Sequence, residues 1–299
     1  MRGKNNFYKL FRSKNGNISD NLIINPDIKA YITSYAPETL SVTKVKKNNI
    51  FNKAGRISFR AQLNGVPIKI YEAANSNHAL FIANISSSKE ISFYFPSILY
   101  SAGRHLFAKW IDGDTPASFP IEEHFNLLEK IHDIPIESLP DPEFDYWYDF
   151  IKPRFKRACE LFGEQDLGDE VIKEVSQSWS SNPGFLSHPD LTIHNMIRSC
   201  DDGHIFIIDN ELLSVGHLPL LDFCNAFKSC SHDELQKVFA MWMEKYGLLD
   251  KYDLSILSAA WFARLVGSAF ISGNFNKAIS LIIQYKKDIY NILPFKIIR

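Results

Sequence analysis

The chain has 299 residues, of which 45% are hydrophobic and 22% charged, with a formal net charge of −1 and four cysteines that form no Cys-x-x-Cys pair. These proportions are ordinary for a globular protein with two lobes, and they exclude a disulfide framework, a zinc knuckle and a strongly basic nucleic-acid-binding chain. No apolar run reaches the roughly 18 residues of a membrane span, and we find no secretory leader, so we expect a cytoplasmic protein with reduced thiols.

The first third of the chain reads as β-strands. Alternating apolar and polar residues predict strands at Leu40–Val45 and Arg56–Gln62. Asn64-Gly65 is a typical hairpin turn into a third strand, Val66–Tyr71, which carries Lys69. On sequence alone, this lysine could simply be the polar half of an alternating strand.

A helix and two more strands follow. Asn75–Ile85 reads as a helix without an acidic residue, and Pro96–Tyr100 and His105–Ile111 read as strands joined by a glycine-containing turn. Glycine and proline then break the pattern within residues 113–120. Beyond residue 120, apolar residues recur at helical spacing.

Residues 188–211 carry the most informative polar pattern. Asp190 enters a loop after a short apolar segment, Asn195 starts a strand, and Asp209 ends the returning strand beyond an Asp-Gly turn. Because a hairpin brings its two ends together, Asn195 and Asp209 should be neighbours. Taken singly, each residue could merely cap a turn or end a strand. Together they provide oxygen ligands that suit Mg²⁺ and a carboxylate that can orient a substrate hydroxyl, as phosphoryl transfer requires.

These motifs resemble the aminoglycoside phosphotransferase and choline kinase family, whose members are small-molecule relatives of the protein kinases. The family's catalytic loop, His-Gly-Asp-x-x-x-x-Asn, is similar to residues 188–195, and its Ile-Asp-Phe/Trp-Glu strand end is similar to residues 208–211. Pro189 and Asn210 replace residues common in the family, but neither change removes a side chain that does chemistry. The segment 216–222 resembles a family segment whose final Asp, here Asp222, braces the catalytic region.

The resemblance implies an α+β, two-lobed protein-kinase-like fold with a β-rich N-lobe and a mostly helical C-lobe. We expect residues 1–39 to form an extension packed on the N-lobe, residues 40–113 to form the nucleotide-binding N-lobe, and residues 114–299 to form the catalytic and acceptor-binding C-lobe.

The resemblance also implies an Mg²⁺-dependent transfer of the γ-phosphoryl group of ATP or GTP to a hydroxyl of a small molecule. In this interpretation Asp190 orients the hydroxyl, while Asn195 and Asp209 hold the metal ion. An aminoglycoside, a choline-like alcohol, a sugar or a glycan precursor would fit. Residues 1–115 carry a net charge of +9 and the remainder −10, which suggests a cationic acceptor, although such charges can also lie on solvated faces.

The nucleotide would lie against the N-lobe. Lys69 would contact its phosphates, and backbone groups of Ala108 and Trp110 would hydrogen-bond the purine edge. Residues 46–55 would form the phosphate-covering loop, although they contain a single glycine.

In the same pattern the helix after the lysine strand carries a Glu that pairs with the lysine, and the predicted helix here contains none. Glu72 is a candidate substitute, and Asn77 or His78 could take a neutral hydrogen-bonding role. The missing acid also supports an alternative function, a catalytically inactive nucleotide-binding module with a regulatory or scaffolding role. A protein kinase is disfavoured because no Ala-Pro-Glu segment or activation loop follows Asp209.

In the predicted C-lobe, helices at Asp233–Tyr246, Leu254–Ile271 and Asn276–Ile292 would select the acceptor. We interpret the aromatic run Phe144–Phe150 as core rather than as a pocket wall, and His132 as structural rather than catalytic.

Overall fold

The computed structural model describes residues 40–41, 58–63, 66–89, 92–247 and 251–295. The predicted extension at 1–39, most of the first strand, the expected phosphate-covering loop at 46–55 and the Asn64-Gly65 turn lie outside the described residues.

Five antiparallel strands form a sheet in the order β1-β2-β3-β5-β4. The strands are β1 (Leu40–Ser41), β2 (Ser58–Leu63), β3 (Val66–Glu72), β4 (Ile98–Ala102) and β5 (His105–Lys109). Leu63 pairs with Val66, which confirms the predicted hairpin connection between β2 and β3. In the centre of the sheet, Lys69 on β3 lies opposite Ala108 on β5.

Helix α1 (Ser76–Ser87) packs against β4 and β5. It begins after Asn75, whose side chain accepts a hydrogen bond from the backbone N–H of His78. The apolar face that it buries includes Phe81, Ile82 and Ile85. The predicted helix is therefore confirmed, and it places its buried residues against the sheet.

The rest of the described chain is mostly helical. Its α-helices are α2 (Ile121–His132), α3 (Lys152–Phe162), α4 (Gln165–Trp179), α5 (Pro219–Ala226), α6 (His232–Tyr246), α7 (Lys251–Ile271) and α8 (Phe275–Lys287). The helices predicted in the last third of the chain correspond to α6, α7 and α8. Helix α8 ends earlier than predicted because Asp288 is extended and its side chain caps a separate 3₁₀ turn, Ile289–Ile292.

Helix α7 is the centre of this helical part and packs against α3, α4 and α8. Its segment Asp253–Ile271 is long and apolar enough to cross a membrane, but 61% of that stretch is buried inside the protein. Apolar residues cover α7 nearly all round because neighbouring helices surround it, as in the core of a large helical domain.

Two small sheets lie next to these helices. One pairs β7 (Phe185–Ser187) with β10 (Ser214–Gly216), and the other has the order β6 (Gly113–Asp114), β8 (Met196–Ser199), β9 (Ile205–Ile207). A β-rich first part and a mostly helical second part confirm the predicted α+β, two-lobed architecture. The division at residue 113 stays a prediction, because β6 spans it and pairs with β8.

Most aromatic residues of the run at 144–150 lie in the core, as predicted, but Tyr148 is exposed. Phe144, Asp145 and Asp149 also line a cavity, so the run is part of a pocket wall as well.

Residues Tyr146 to Ile151 form a π-helical turn. Tyr146 and Trp147 are fully buried, and the indole N–H of Trp147 donates to the hydroxyl of Ser176 over 3.0 Å.

Candidate active site

The predicted hairpin brings Asn195 next to Asp209. Met196 on β8 pairs with Ile207 on β9, and the carbonyl of Asn195 accepts a hydrogen bond from the N–H of Ile208 over 2.8 Å. Gly203 in the connecting turn has a φ of +73°, a conformation that favours glycine. Asn195 itself ends a 3₁₀ turn, so the strand begins one residue later than predicted.

The loop before β8 is closed by the side chain of Asn195. Its Nδ2 donates to the carbonyl oxygen of Asp190 over 2.7 Å and to the Asp190 Oδ2 over 3.1 Å. Both residues are buried. With the amide nitrogen directed at Asp190, the Oδ1 of Asn195 is the atom of this side chain that could ligate a cation.

Asp209 meets Lys69 at the end of β9. The Lys69 Nζ donates a hydrogen bond to the Asp209 Oδ1, although the two residues are 140 positions apart. Asp209 has a φ of +61°, a left-handed conformation that Asp tolerates better than most residues, and its side chain is 46% exposed. A non-glycine residue held in this conformation is often part of a functional site, because the surrounding structure must maintain it.

Glu211 supplies a second acid for Lys69. Its Oε2 lies 4.0 Å from the Lys69 Nζ, and its side chain is only 7% exposed. Burial acts to lower the pKa of Lys69, but the carboxylates of Glu211 and Asp209 outweigh it and hold the pKa above its ordinary value. The lysine is therefore charged and fixed by acids from the strand end rather than from α1.

Glu72, the predicted substitute for the missing helix acid, has other partners. Its Oε1 lies 3.0 Å from a guanidinium nitrogen of Arg104 and 3.2 Å from the His105 Nε2. Residues three apart on a strand point to opposite faces, which separates the side chains of Glu72 and Lys69. The sequence interpretation did not identify Glu211 as a partner of Lys69, although Glu211 is the last residue of the Ile-Asp-x-Glu pattern.

His78 forms hydrogen bonds as a neutral ring, as the sequence allowed, but its partners are backbone groups and not Lys69. Its Nδ1 accepts from the N–H of Ala74 over 3.0 Å, and its Nε2 therefore donates to the carbonyl of Leu213 over 2.6 Å. The ring is fully buried and stacks on Phe144 with ring centroids 4.5 Å apart. His78 thus ties α1 to the segment that follows Asp209 and Glu211.

A hydrogen bond also joins the two motifs themselves. The His188 Nε2 lies 3.1 Å from the Asn210 Oδ1, and both residues are buried. Asn210, which departs from the family pattern, therefore accepts a hydrogen bond from the first residue of the catalytic-loop motif.

Two further contacts hold the Asp190 loop from the protein interior. The buried carboxylate of Asp222 accepts hydrogen bonds from the hydroxyl of Ser187 over 2.7 and 2.9 Å, and one of its oxygens lies 3.3 Å from the His132 Nε2. The His124 Nε2 donates to the carbonyl of Leu191 over 2.8 Å, and burial lowers the pKa of His124 to about 4, so its ring is neutral near pH 7. Because His132 contacts the buried carboxylate of Asp222 in the protein interior, we interpret it as a structural residue.

Two cations border Asp190, and the sequence interpretation found neither. The Lys228 Nζ lies 3.0 Å from the Asp190 Oδ1, and a guanidinium nitrogen of Arg264 lies 3.7 Å from the same oxygen. These residues are far from Asp190 in sequence and no local pattern marks them. Only the packing of α7 and of the segment that follows α5 brings them to the loop.

Of the two residues predicted to contact the purine, Ala108 lies on β5 and Trp110 directly follows the end of that strand. Ala108 is buried on β5 opposite Lys69. The N–H of Trp110 donates to the carbonyl of Pro67 over 3.0 Å. Since that N–H is committed to the sheet, a contact of Trp110 with a purine edge would use its carbonyl.

The side-chain oxygens of Asn195 and Asp209 suit magnesium better than a metal ion that needs a full set of protein ligands. Within the described ranges, no group of three or more His, Cys, Asp or Glu side chains is arranged to hold a metal ion. Magnesium does not require such a group, since it commonly keeps one or two protein oxygens and takes the rest from phosphates and water. The Oδ1 of Asn195 and the carboxylate of Asp209 could provide that minimal set.

No protein-family model matches the chain, and neither does any curated protein sequence. Solved structures do match. Choline kinase LicA from Streptococcus pneumoniae is 12% identical over 89% of this chain and 98% of LicA, with a TM-score of 0.54. The ethanolamine kinase of Plasmodium vivax is 14% identical over 95% of this chain and 98% of that one, with a TM-score of 0.53.

A third solved structure is the GDP complex of aminoglycoside 2′-phosphotransferase-IIIa. It is 12% identical over 90% of this chain and 99% of that one, with a TM-score of 0.54. At such identities the likeness concerns the fold, and it covers nearly the whole of both chains. The protein therefore has the two-lobed, protein-kinase-like fold shared by choline kinases and aminoglycoside phosphotransferases.

Proposed function

We propose that the protein is an Mg²⁺-dependent phosphotransferase that moves the γ-phosphoryl group of ATP or GTP to a hydroxyl of a small molecule. The observation that carries the proposal is the convergence of Lys69 and Asp209 beside the Asn195 and Asp190 pair across one hairpin. Solved structures of the same fold are named as choline, ethanolamine and aminoglycoside kinases, which supports the proposal.

The proposed reaction is a direct transfer. A bond forms between the acceptor oxygen and the γ-phosphorus, while the bond from that phosphorus to the β–γ bridging oxygen breaks and releases the nucleoside diphosphate. The hydroxyl proton passes to the carboxylate of Asp190. Such transfers depend mainly on positioning and on stabilisation of charge, for which a buried, hydrogen-bonded aspartate is suited.

The nucleotide side of the reaction would use Lys69, Asn195 and Asp209. Bound Mg²⁺ would neutralise charge on the phosphates, with Asn195 and Asp209 as its protein ligands. Lys69 would then exchange its contact with Asp209 for the phosphates, while Glu211 keeps the ammonium group in place. Backbone groups near Ala108 and Trp110 would bind the base, and residues 40–113 would form the nucleotide-binding lobe.

The alternative, an inactive nucleotide-binding module, rested on the missing acid in α1. Glu211 and Asp209 now provide acids for Lys69, so the lack of a helix Glu no longer argues for inactivity.

A panel of metabolites and antibiotics, scored by ATP and GTP consumption, tests the proposal. We expect at least one acceptor whose product gains the mass of a phosphoryl group, with consumption that requires Mg²⁺. The matched control is Asp209→Asn, which should consume nucleotide at least about a hundredfold more slowly. Nucleotide binding without transfer to any member of the panel would support the inactive module instead.

A further inference from the structure

Tyr71 lies beside Lys69, the lysine proposed to contact the nucleotide phosphates. The two residues are two positions apart on β3, and such residues point to the same face of a sheet. The Lys69 Nζ lies 5.1 Å from the centre of the Tyr71 ring, which is close enough for a cation–π interaction. Tyr71 is only 2% exposed. Its ring therefore helps to hold the ammonium group of Lys69.

The hydroxyl of Tyr71 does not contribute to the packing in the same way. Its oxygen is buried, and among the described residues no group forms a hydrogen bond with it. Buried hydroxyls normally have a partner, because a hydroxyl that leaves water without one loses free energy. A phenylalanine would fill nearly the same space and contact Lys69 through the same ring face without that cost. The hydroxyl therefore points to a partner that it gains in another state of the protein.

The charges near this hydroxyl are acidic. Burial, and then the negative charges of Glu211 and Asp209, raise the pKa of Tyr71 well above its ordinary value. The hydroxyl therefore keeps its proton at neutral pH and can donate a hydrogen bond. Both carboxylates also contact Lys69. Tyr71 and Lys69 thus share the same pair of acids.

Nucleotide binding would change the partners of these acids. In the proposed function Lys69 exchanges its contact with Asp209 for the phosphates, and Glu211 remains beside it. The Glu211 Oε2 lies 4.0 Å from the Lys69 Nζ, which is longer than a hydrogen bond, and the Glu211 side chain is only 7% exposed. A carboxylate offers about four acceptor sites, so Glu211 can accept from a further donor and keep its contact with Lys69.

On the basis of the proposed phosphotransferase function, we propose that Tyr71 is a positioning residue for Lys69 and Glu211 in the nucleotide-bound protein. When Lys69 leaves Asp209 for the phosphates, the Tyr71 hydroxyl donates a hydrogen bond to the carboxylate of Glu211, while the ring stays against the ammonium group. A hydrogen bond to a charged acceptor is strong, more so where little water competes for it. Tyr71 and Glu211 together thus replace the acid that α1 lacks.

Tyr71→Phe tests the proposal, because it removes the hydroxyl and keeps the ring. Calorimetric titration with Mg²⁺ and a non-hydrolysable ATP analogue should show binding weakened by about tenfold, the usual effect of losing a hydrogen bond to a charged group. Urea denaturation of the nucleotide-free variant should show an unchanged or higher midpoint, because the variant lacks only a buried hydroxyl without a partner. Weaker binding without a loss of stability separates a positioning role from a structural one.

Tyr285→Phe is the matched control. Tyr285 is also buried, but it lies on α8, where its ring stacks on Phe262 with ring centroids 4.0 Å apart. This variant should bind the analogue as the unmodified protein does. Unchanged affinity in Tyr71→Phe, an equal loss in both variants, or a lower urea midpoint in Tyr71→Phe would overturn the proposal.

A double-mutant cycle with Glu211→Gln identifies the acceptor of the hydrogen bond. Once Glu211→Gln has removed the charge, the loss caused by Tyr71→Phe should shrink to about threefold or less. A loss of the same size in both backgrounds would mean that the hydroxyl contacts the phosphates directly, which overturns the assignment of Glu211 as its partner.

The proposed function fails separately. If Tyr71→Phe weakens binding of the analogue as expected but no acceptor is ever phosphorylated, the phosphotransferase assignment is contradicted while the role of Tyr71 stands. If an acceptor is phosphorylated and Tyr71→Phe binds the analogue with unchanged affinity, the role of Tyr71 is contradicted while the phosphotransferase assignment stands.

Discussion

The ammonium group of Lys69 on β3 donates a hydrogen bond to the carboxylate of Asp209 at the end of β9. Glu211, two residues further on, places a second carboxylate 4.0 Å from the same ammonium group. The strand end thus supplies both a proposed metal ligand and a partner for the lysine. A nucleotide that draws Asp209 to its metal ion would leave Glu211 to hold Lys69.

The first prediction concerns Glu211→Gln. The substitution removes the charge that orients Lys69 but keeps the size of the side chain, so we expect kcat/KM for the nucleotide to fall by about tenfold, as for the loss of one charged interaction. Steady-state kinetics with varied ATP, at a saturating concentration of an identified acceptor, provides the measurement.

Glu72→Gln is the matched control for Glu211→Gln. Glu72 is also buried, but it contacts Arg104 in the turn before β5 and His105 at the start of β5. This variant should lose some stability and retain its affinity for the nucleotide. A larger loss of nucleotide affinity in Glu72→Gln than in Glu211→Gln would show that Glu72 is the functional partner of Lys69.

The second prediction concerns the link between α1 and the segment after Asp209. His78→Phe retains the aromatic contact with Phe144 but removes the donor to the Leu213 carbonyl and the acceptor for the Ala74 N–H. Leaving buried polar groups without partners should lower the free energy of unfolding by about 2 kcal/mol, measured by urea denaturation. Asn84→Ala, which removes an exposed hydrogen bond on the same helix, should change it by less than about 0.5 kcal/mol. Equal losses in the two variants would argue against the link.

The third prediction is a pH dependence of stability. Burial lowers the pKa of His124 from its ordinary value of 6.5 to about 4 in the folded protein. Between pH 4 and pH 6.5 the His124 side chain binds a proton more readily in the unfolded chain than in the folded protein. The free energy of unfolding is therefore greatest above pH 6.5 and falls as the pH drops towards 4. The full effect is about 3 kcal/mol.

His124→Gln isolates this contribution. The glutamine amide can still donate to the Leu191 carbonyl but does not titrate. Urea denaturation between pH 7 and pH 4 should therefore show a smaller loss of stability in the variant than in the unmodified protein. Parallel losses would mean that other groups cause the acid sensitivity.

Much of this site could be predicted from local patterns. The Asp-Gly turn between two apolar runs indicated the hairpin, and the hairpin alone predicts that Asn195 and Asp209 are neighbours. Lys69 could be placed on a strand by alternation and by the preceding Asn-Gly turn. These predictions succeeded because turn chemistry and strand pairing depend on residues close in sequence.

Other features depend on packing between distant elements, and the sequence interpretation missed them. Lys228 lies beyond α5 and Arg264 lies on α7, and nothing near either residue marks it as a neighbour of Asp190. Helices α3 and α4 were likewise not predicted.

The most direct test of the account compares phosphoryl transfer by the unmodified protein with transfer by Asp190→Asn and Asp209→Asn, using an acceptor identified from the panel. Both substitutions keep the size of the side chain, so the variants should fold, as circular dichroism and urea denaturation can verify. We predict that kcat falls by about two to four orders of magnitude in each variant, because each loses a carboxylate that positions or stabilises the reacting groups. Full turnover in either folded variant would contradict the assignment of the active site.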